Sequence, residues 1–576
     1  MNVLLLHPED SIPTRTNCPR WDLVLDCGRA PAASYEAWSQ QTACPILSLY
    51  HFAQEVEDLH LCRNLLRSGF GQLLDRHGID WWDVLSLRLV PDLLRLIAVD
   101  RAVGFINCSC ELYATRPFLL ANAFRNALHC RLTIMQTGIG KLRAQAQHYL
   151  RAVSKLDRRQ LAQVVQDKFD RHHALRSRFA RRRSTAKNEF ILLPSAYINV
   201  SRMAIRYAQL LPSKQFLLLL ARDNAGVDST PANVVTQTLS AYFTGPGDAE
   251  CAISERWDQL RQTLIERDST FRLANAAGIL DVIKRELSWG LSIRDAWLKV
   301  FEDEEIISCL CADDTNPYTK IPLLLARNRG IPTVACHHGA FDCVMAIKGV
   351  AADSYLSKSK IEYDYLIREC RVDSEKVVLG APEPATVRDP PASNDSRERD
   401  WMVFFTEPYE TSNWRDEEVY RDLLPKLFSL AEKSGMQLVF KLHPFESVKG
   451  HRNKLRRILG NAGGNYQICS GQISEDLWRK TKFALTVESS TALECADRGV
   501  PVFLLTWLRD PYTGYVRQYA KFQVGYSLQC SDEIQNIPQI LTAHKWHRTR
   551  SREPIDAGRL KSLLTEKVSL SIAVNS

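Results

Sequence analysis

The sequence has no long hydrophobic run. Its apolar stretches all fall short of the roughly 20 consecutive residues that a helix needs to cross a bilayer. The opening residues, MNVLLLHPED, have no basic segment before their short apolar run. They therefore predict a first β-strand rather than a signal peptide. Both absences favour a cytoplasmic protein.

Disulfide and zinc patterns are also absent. The 16 cysteines are scattered along the chain without the rhythm of a disulfide scaffold. Two C-x-C pairs, Cys108/Cys110 and Cys309/Cys311, have no second pair at zinc spacing. We therefore interpret the cysteines as reduced packing residues.

The charge is uneven along the chain. The whole sequence has a formal net charge of +8, yet residues 141–187 alone hold 14 Lys and Arg against 3 acidic residues. One interpretation is a solvated face of one or two long helices inserted in the N-terminal half. The other is a patch for anionic lipid headgroups or for a phosphate-linked acceptor. No nucleic-acid-binding motif accompanies the charge, which disfavours a nucleic-acid partner.

A chain of 576 residues is too long for one hydrophobic core, so two or three domains are expected. Apolar strand patterns alternate with helical patterns almost throughout, which predicts an α/β fold with parallel sheets. The stretch VRDPPASNDSRERD, at 387–400, predicts a linker. We thus predict an N-terminal Rossmann-like domain at 1–386, a C-terminal one at 401–548, and a final helix and tail at 549–576.

Polar residues stand where predicted strands of both halves end, which places a ligand cleft between the halves. Residues 486–501 form the central example, a buried strand followed by a hydroxyl-rich turn and a helix. Ser489, Ser490 or Thr491 could cap this helix, and its free N–H groups suit an anion such as a phosphate. The alternative is an ordinary helix N-cap.

Four short motifs together resemble the GT-B glycosyltransferases of bacterial surface-polysaccharide synthesis. They are CHHGAF at 336–341, GAP at 380–382, KLHP at 441–444 and ESSTALECADRGVP at 488–501. The similar enzymes include the CMP-Kdo and CMP-sialic acid transferases of capsule and lipopolysaccharide assembly. The CDP-glycerol glycerophosphotransferases share the arrangement. The resemblance covers roughly residues 305–510.

The resemblance implies a GT-B-like fold, in which two Rossmann-like domains face a cleft. It implies a metal-independent, inverting glycosyltransferase that moves a sugar from a nucleotide-activated donor, with a CMP-sugar favoured. The acceptor would be a bacterial surface glycan or lipid-linked glycan, and the enzyme would be cytoplasmic or peripheral at the inner face of the plasma membrane. Alternatives are a CDP-glycerol-type polyol-phosphate transferase, a non-catalytic glycan- or lipid-carrier-binding scaffold, and a sugar-nucleotide epimerase.

By the same resemblance, His443, Ser489 and Ser490 bind the donor phosphate and Glu494 holds the ribose hydroxyls. Further donor-binding candidates at the predicted strand ends are Pro444, Glu488, Thr491, Glu407 and Gly339. No cofactor is expected. No D-x-D motif with a matching partner stands at a strand end, so we predict no obligatory divalent ion.

The catalytic base is left open among Asp313, Asp314 and His338. The two carboxylates end a predicted buried strand, where pairing is expected to raise a pKa for base work. The same pair could instead cap a turn around Pro317. His338 ends the next strand, and Gly339 allows close backbone approach there.

Overall fold

The structure is a computed structural model that describes most of the chain. The described residues are 1–12, 20–106, 109–135, 189–222, 225–227, 229–243, 250–339, 341, 343–382, 399–409, 413–444, 446–460, 465–487, 489–512, 514–548 and 552–565. The helical insertion predicted at 141–187, Glu488, and all but the last two residues of the predicted linker lie outside them.

An N-terminal sheet of five parallel strands opens the fold. Its elements are β1 (Asn2–Leu6), β2 (Leu23–Asp26), α1 (Ala32–Thr42), β3 (Ile46–Ser48), α2 (Glu55–Arg67), α3 (Trp81–Ile106), β4 (Glu111–Ala114), α4 (Leu119–Ala127) and β5 (Leu132–Ile134). The strand order is β3-β2-β1-β4-β5. Short apolar runs joined by helices fold in this way because parallel neighbours need crossover connections.

A central sheet of seven parallel strands follows. Its elements are β6 (Glu189–Ser195), α5 (Ile198–Gln209), β7 (Phe216–Leu220), β8 (Val234–Thr238), α6 (Glu250–Arg267), α7 (Ser269–Ala276), α8 (Ile279–Asp303), β9 (Glu305–Cys311), α9 (Pro317–Asn328), β10 (Thr333–Ala335), α10 (Cys343–Ile347), β11 (Ser354–Ser357), α11 (Lys360–Arg368) and β12 (Val377–Leu379). The order is β12-β11-β10-β9-β6-β7-β8. Strands that follow β6 are added on one side of it up to β8, and those from β9 onward are added on the other side, which makes β6 and β9 the topological switch point.

The C-terminal sheet has six parallel strands. Its elements are β13 (Trp401–Phe405), α12 (Asp416–Lys433), β14 (Gln437–Lys441), α13 (Val448–Leu459), β15 (Tyr466–Cys469), α14 (Glu475–Lys480), β16 (Thr481–Thr486), α15 (Thr491–Asp497), β17 (Val502–Leu505), β18 (Tyr526–Leu528), α16 (Ile537–Ala543) and α17 (Ala557–Thr565). The order β15-β14-β13-β16-β17-β18 puts the switch point between β13 and β16.

The last helix, α17, leaves the C-terminal sheet and packs on the central one. Its buried Leu560 and Leu564 join the core on the face of β6, β9 and β10 that α5 also covers. Gly380, just after β12, permits this docking, because a Cβ there would lie only 2.7 Å from the Ile555 Cβ atom. Close packing against Ile555 therefore explains why the GAP motif has a glycine at position 380.

The N-terminal sheet contacts both other sheets. Its long helix α3 shares one hydrophobic core with helices of the central sheet, where Trp81 and Trp82 are fully buried. An ion pair joins it to the C-terminal unit. The buried Arg415 guanidinium, just before α12, donates to both carboxylate oxygens of Asp26, at the end of β2, at 2.7 and 2.9 Å.

The predicted α/β class with parallel sheets is confirmed. The residues predicted as one N-terminal domain hold two sheets, because the alternating strand and helix pattern is the same whether its strands join one sheet or two. Among the described helices, none is both long and apolar enough to span a membrane.

Candidate functional site

Asp313 lies at the switch point of the central sheet. It follows β9, is fully buried, and accepts hydrogen bonds on Oδ1 from the Thr315 backbone and hydroxyl at 3.0 and 2.5 Å. The Tyr197 hydroxyl, just after β6, donates to Oδ2. Burial alone would raise the pKa of Asp313, but the electrostatic interaction with the His337 and His338 rings and these hydrogen bonds hold it below its usual value. Asp313 is therefore an ionised carboxylate just after the end of β9.

His338 follows β10 beside this carboxylate. Its ring centroid lies 4.7 Å from that of His337 and 5.1 Å from that of Tyr197. The Nδ1 atom is buried and has no hydrogen-bond partner in the described part of the chain. Burial lowers the pKa of His338, and the nearby Lys358 charge lowers it further, whereas Asp313 opposes both. A neutral imidazole with an unused nitrogen can accept a proton.

Asp314 points elsewhere. Its carboxylate forms an ion pair with Lys348, and it accepts a hydrogen bond from the Tyr355 hydroxyl at 3.0 Å. The expectation that two paired carboxylates raise one another's pKa is therefore wrong for Asp313, whose pKa is lowered. The reason is that the two side chains face different partners instead of each other.

Asp313, His337 and His338 are the one group within the described residues whose atoms lie close enough to hold a metal ion, all within 4.8 Å. The His337 Nδ1 atom accepts a hydrogen bond from the Gly339 backbone at 3.3 Å. A neutral imidazole then carries its proton on Nε2, which lies 3.8 Å from the Asp313 Oδ1 atom. This arrangement suits a donor–acceptor pair better than two metal ligands. That no divalent ion is required stays a prediction.

On the C-terminal sheet, the loop after β14 carries His443. Its backbone N–H donates to the Thr406 hydroxyl and to the Glu446 carboxylate, both at 3.2 Å. Burial lowers the pKa of the half-buried His443 ring, and Pro444 is exposed. Lys441 is buried, and its ammonium donates to the Gly471 carbonyl at 2.8 Å.

Glu446 anchors this loop. Burial favours its neutral form, but the nearby His451 ring, the charge of Lys454 and a hydrogen bond from the Thr406 hydroxyl hold the pKa of Glu446 below its usual value. A carboxylate with a lowered pKa stabilises the fold at pH values above the pKa that it has in the unfolded chain, and this contribution is lost as the pH falls through the pKa of the folded state.

We expect the free energy of unfolding to drop more between pH 7 and pH 3 in the wild type than in Glu446→Gln, measured by urea denaturation. Glu432→Gln, at an exposed position of α12, should match the wild type; equal slopes in all three proteins would contradict the assignment.

The serine turn follows β16. The Ser489 hydroxyl accepts from the Thr491 backbone and hydroxyl at 3.2 and 2.9 Å, so Ser489 is the side chain that caps the start of α15. Ser490 makes no side-chain cap and is half-buried. The Thr486 hydroxyl donates to the Glu407 carboxylate at 3.3 Å, which joins the ends of β16 and β13 across the switch point. Glu494 is half-buried one turn into α15.

The two C-terminal loops follow strands of one parallel sheet, and contacts join one of these loops to the central sheet. The strands that lead to His443 and Ser490 flank β13, so they stand about 10 Å apart, two strand spacings. From Ser489, contacts continue to the central sheet: the Tyr519 hydroxyl donates to the Ser489 carbonyl at 3.5 Å. The Tyr515 backbone then donates to the Phe341 carbonyl at 3.2 Å. The ring of Phe341 lies 5.3 Å from that of His337.

The sequence analysis missed two residues that follow strands of the central sheet, Tyr197 and Lys358. Tyr197 gave no signal, since it stands in a helix start with no motif. Lys358 directly follows the short strand β11, and that position could have marked it. Its ammonium donates to the Gly339 carbonyl at 2.7 Å and pairs with the buried Glu362 at 3.0 Å.

The central and C-terminal sheets define a GT-B-like fold, to which the N-terminal sheet is added. No protein-family model and no curated protein matches the sequence. A putative UDP-N-acetylglucosamine 2-epimerase from Listeria monocytogenes is 13% identical, with 66% of this chain and 96% of that one covered and a TM-score of 0.41. The Neisseria meningitidis UDP-GlcNAc 2-epimerase bound to UDP-GlcNAc is 12% identical, with coverage of 65% and 97% and a TM-score of 0.39. MurG from Acinetobacter baumannii is 12% identical, with coverage of 65% and 99% and a TM-score of 0.37. At these identities the similarity concerns the fold alone.

Proposed function

We propose that this protein is a glycosyltransferase that moves a sugar from a nucleotide-activated donor, a CMP-sugar in the favoured case, to a bacterial surface-glycan acceptor. One observation carries the proposal: polar side chains stand at the switch points of two facing parallel sheets, where ligands of such sheets bind. We infer the reaction class from the different polar residues that follow the strands of the central sheet and those of the C-terminal sheet.

The loops that follow β14 and β16 of the C-terminal sheet suit the leaving nucleotide. The hydroxyls of Ser489 and Ser490 and the ring of His443 can donate to phosphate oxygens as negative charge develops there. The carboxylates of Glu494 and Glu407 can accept hydrogen bonds from the ribose hydroxyls. Glu488 belongs to the same turn by sequence, and we keep Thr491 with Ser489 as a support of the turn.

The residues that follow β9 and β10 of the central sheet suit the acceptor. His338 is neutral near pH 7 because burial lowers its pKa, and its free Nδ1 atom can take the proton of an acceptor hydroxyl. The Asp313 carboxylate stabilises the imidazolium that forms. The acceptor oxygen then attacks the anomeric carbon as the bond to the phosphate breaks, which inverts the configuration. Asp314, paired with Lys348, is assigned to the structure of the site.

The acceptor and the cellular site complete the proposal. A lipid-linked glycan acceptor would bring the enzyme to the inner face of the plasma membrane, where the basic residues 141–187 could contact anionic lipid. That segment lies outside the described residues. Flotation with anionic liposomes, lost on charge reversal at Arg181, Arg182 and Arg183, tests this contact.

Titration of CMP, CDP and UDP by calorimetry tests the donor site. We expect one of them to bind, and Ser489→Ala/Ser490→Ala to weaken it at least tenfold, because a hydrogen bond to a charged group contributes about 1.5–3 kcal/mol. Ser434→Ala is the matched control, since Ser434 ends α12 just before β14 and so lies at the edge of the sheet opposite to the strand ends that carry His443 and Ser490. Absence of nucleotide binding, or full affinity in the double variant, would refute the site. The nucleotide that binds, followed by release assays with a CMP-sugar and with CDP-glycerol, separates the sugar transferase from the polyol-phosphate transferase.

A further inference from the structure

The segment that follows β13 contacts both loops of the proposed donor site. The Thr406 hydroxyl accepts a hydrogen bond from the His443 backbone N–H at 3.2 Å and donates to the Glu446 carboxylate. Glu407 accepts a hydrogen bond at 3.3 Å from the hydroxyl of Thr486, the last residue of the strand that leads to the serine turn. Since β13 lies between β14 and β16 in the sheet, the conformation of this one segment affects both loops.

Two backbone hydrogen bonds connect this segment to the chain just before α12. The Tyr409 N–H donates to the Glu407 carbonyl at 2.9 Å, and the Trp414 N–H donates to the Tyr409 carbonyl at 3.0 Å. Both aromatic side chains are buried in the core of the C-terminal sheet. A displacement at Trp414 is therefore transmitted to Glu407 through contiguous contacts.

The N-terminal sheet binds the chain around Trp414. The backbone N–H of Arg29, which follows β2, donates to the Asn413 carbonyl at 2.9 Å. The Arg29 carbonyl accepts a hydrogen bond from the Arg415 N–H at 2.7 Å. The Arg29 guanidinium lies over the Trp414 ring, 4.1 Å from its centroid. These contacts fix both the backbone and the ring of Trp414 against the N-terminal sheet.

The Arg415 side chain lies at the carboxyl ends of β1 and β2. Its guanidinium donates to both oxygens of Asp26, the last residue of β2, and to the carbonyls of His7 and Asp10, which follow β1, at 3.0 and 2.6 Å. Both charged side chains are buried. The planar guanidinium has donors in fixed directions, so these four hydrogen bonds hold it in one orientation. Parallel sheets bind ligands at this edge, and here an arginine of the same chain lies there.

We propose that Arg415 and Asp26 are positioning residues for the nucleotide donor. Their ion pair holds the segment after β13 in the conformation that places Glu407 and the His443 loop for binding. The N-terminal sheet thus sets the affinity for the donor without touching it. This inference rests on the proposed function and extends it, because it assigns a role to the sheet that is added to the GT-B-like fold.

Two double variants test the positioning role by calorimetry with CMP, CDP and UDP. Asp26→Asn/Arg415→Met removes both buried charges of the pair, so no unpaired charge is left. We expect it to bind the wild type's nucleotide about 3- to 30-fold more weakly, the usual range for coupling through contiguous contacts. Asp75→Asn/Arg294→Met is the matched control, because this buried pair, at 2.9 Å, joins the N-terminal unit to α8 of the central sheet. Its affinity should stay within twofold of the wild type.

Hydrogen exchange of the ligand-free protein gives a readout that does not depend on the proposed function. The backbone N–H groups of Tyr409 and His443 should exchange faster in Asp26→Asn/Arg415→Met than in the wild type. The control double variant should exchange them at the wild-type rate. Arg415→Lys keeps the charge opposite Asp26 but not the four directed hydrogen bonds, so its exchange and affinity should lie between those of the wild type and the double variant.

The outcomes separate this inference from the proposed function. Wild-type nucleotide affinity in Asp26→Asn/Arg415→Met, or an equal loss in both double variants, would overturn the positioning role and leave the nucleotide site intact. Unchanged exchange at Tyr409 and His443 would overturn it as well. A wild-type protein that binds none of the three nucleotides would overturn the proposed function and the positioning role with it. All variants are compared well below their melting temperatures, so that the folded state is measured.

Discussion

The His338→Ala variant is expected to turn over about 10²- to 10⁴-fold more slowly than the wild type, the range that general base catalysis contributes. The reason is that His338 has a buried Nδ1 atom without a hydrogen-bond partner among the described residues, at the site that we propose for the acceptor. The loss should appear in kcat of the transfer reaction. The dissociation constant of the nucleotide should stay unchanged, because the imidazole does not hold the donor.

The pH dependence adds a second readout. The base must be neutral to act, and burial lowers the pKa of His338 from its ordinary value of 6.5. Activity should therefore persist below pH 6.5, with the acidic limb of the kcat/KM profile centred below that value. Asp313→Asn removes the charge that opposes this lowering, so it should move the acidic limb to still lower pH.

His60→Ala, at an exposed position of α2, is the control and should leave rate and profile unchanged. Wild-type turnover in His338→Ala would remove the imidazole from the mechanism and return the choice of base to Asp313. An acidic limb above pH 6.5 would contradict the assigned protonation state.

Lys348→Met is expected to lower the free energy of unfolding by about 3–5 kcal/mol, the usual effect of leaving a buried charge without its partner. The Lys348 side chain is only 4% exposed, and Asp314 is fully buried. Methionine keeps the volume of the lysine stem but leaves the carboxylate with the Tyr355 hydroxyl as its remaining polar contact within the described residues.

The double variant Asp314→Asn/Lys348→Met should recover most of that loss, because it removes both charges and keeps an acceptor for Tyr355. Urea denaturation of the two single variants and the double variant gives the coupling energy. The double variant should also retain transfer activity, since Asp314 is assigned to the structure of the site. Additive destabilisation, or an inactive but folded double variant, would contradict this assignment.

The sequence predicted the parallel α/β class and the strand ends that carry polar residues. Apolar runs such as 437–440 and 483–487 match β14 and β16 to within two residues. Buried parallel strands leave this signal because both of their faces are covered, so almost every position is apolar. The sequence could not say which strands pair, and it therefore placed two separate sheets in one N-terminal domain.

Tertiary contacts also decided what adjacent residues of the same type do. Asp313 and Asp314 are identical in pattern, yet one faces Tyr197 and His337 and the other faces Lys348. Successive side chains leave a strand end in different directions, and only the packed neighbours determine their partners.

What the sequence determined by itself is local: where buried strands begin and end, and which polar residues follow them, since chain periodicity and turn chemistry depend on neighbours in the chain. What only the tertiary structure decided is the meeting of distant segments. Tyr207, Gly380 and Glu553 come together at the ends of β11 and β12 because α5 and the segment just before α17 both pack there. No local pattern encodes that meeting, because it arises from the packing of elements far apart in the chain.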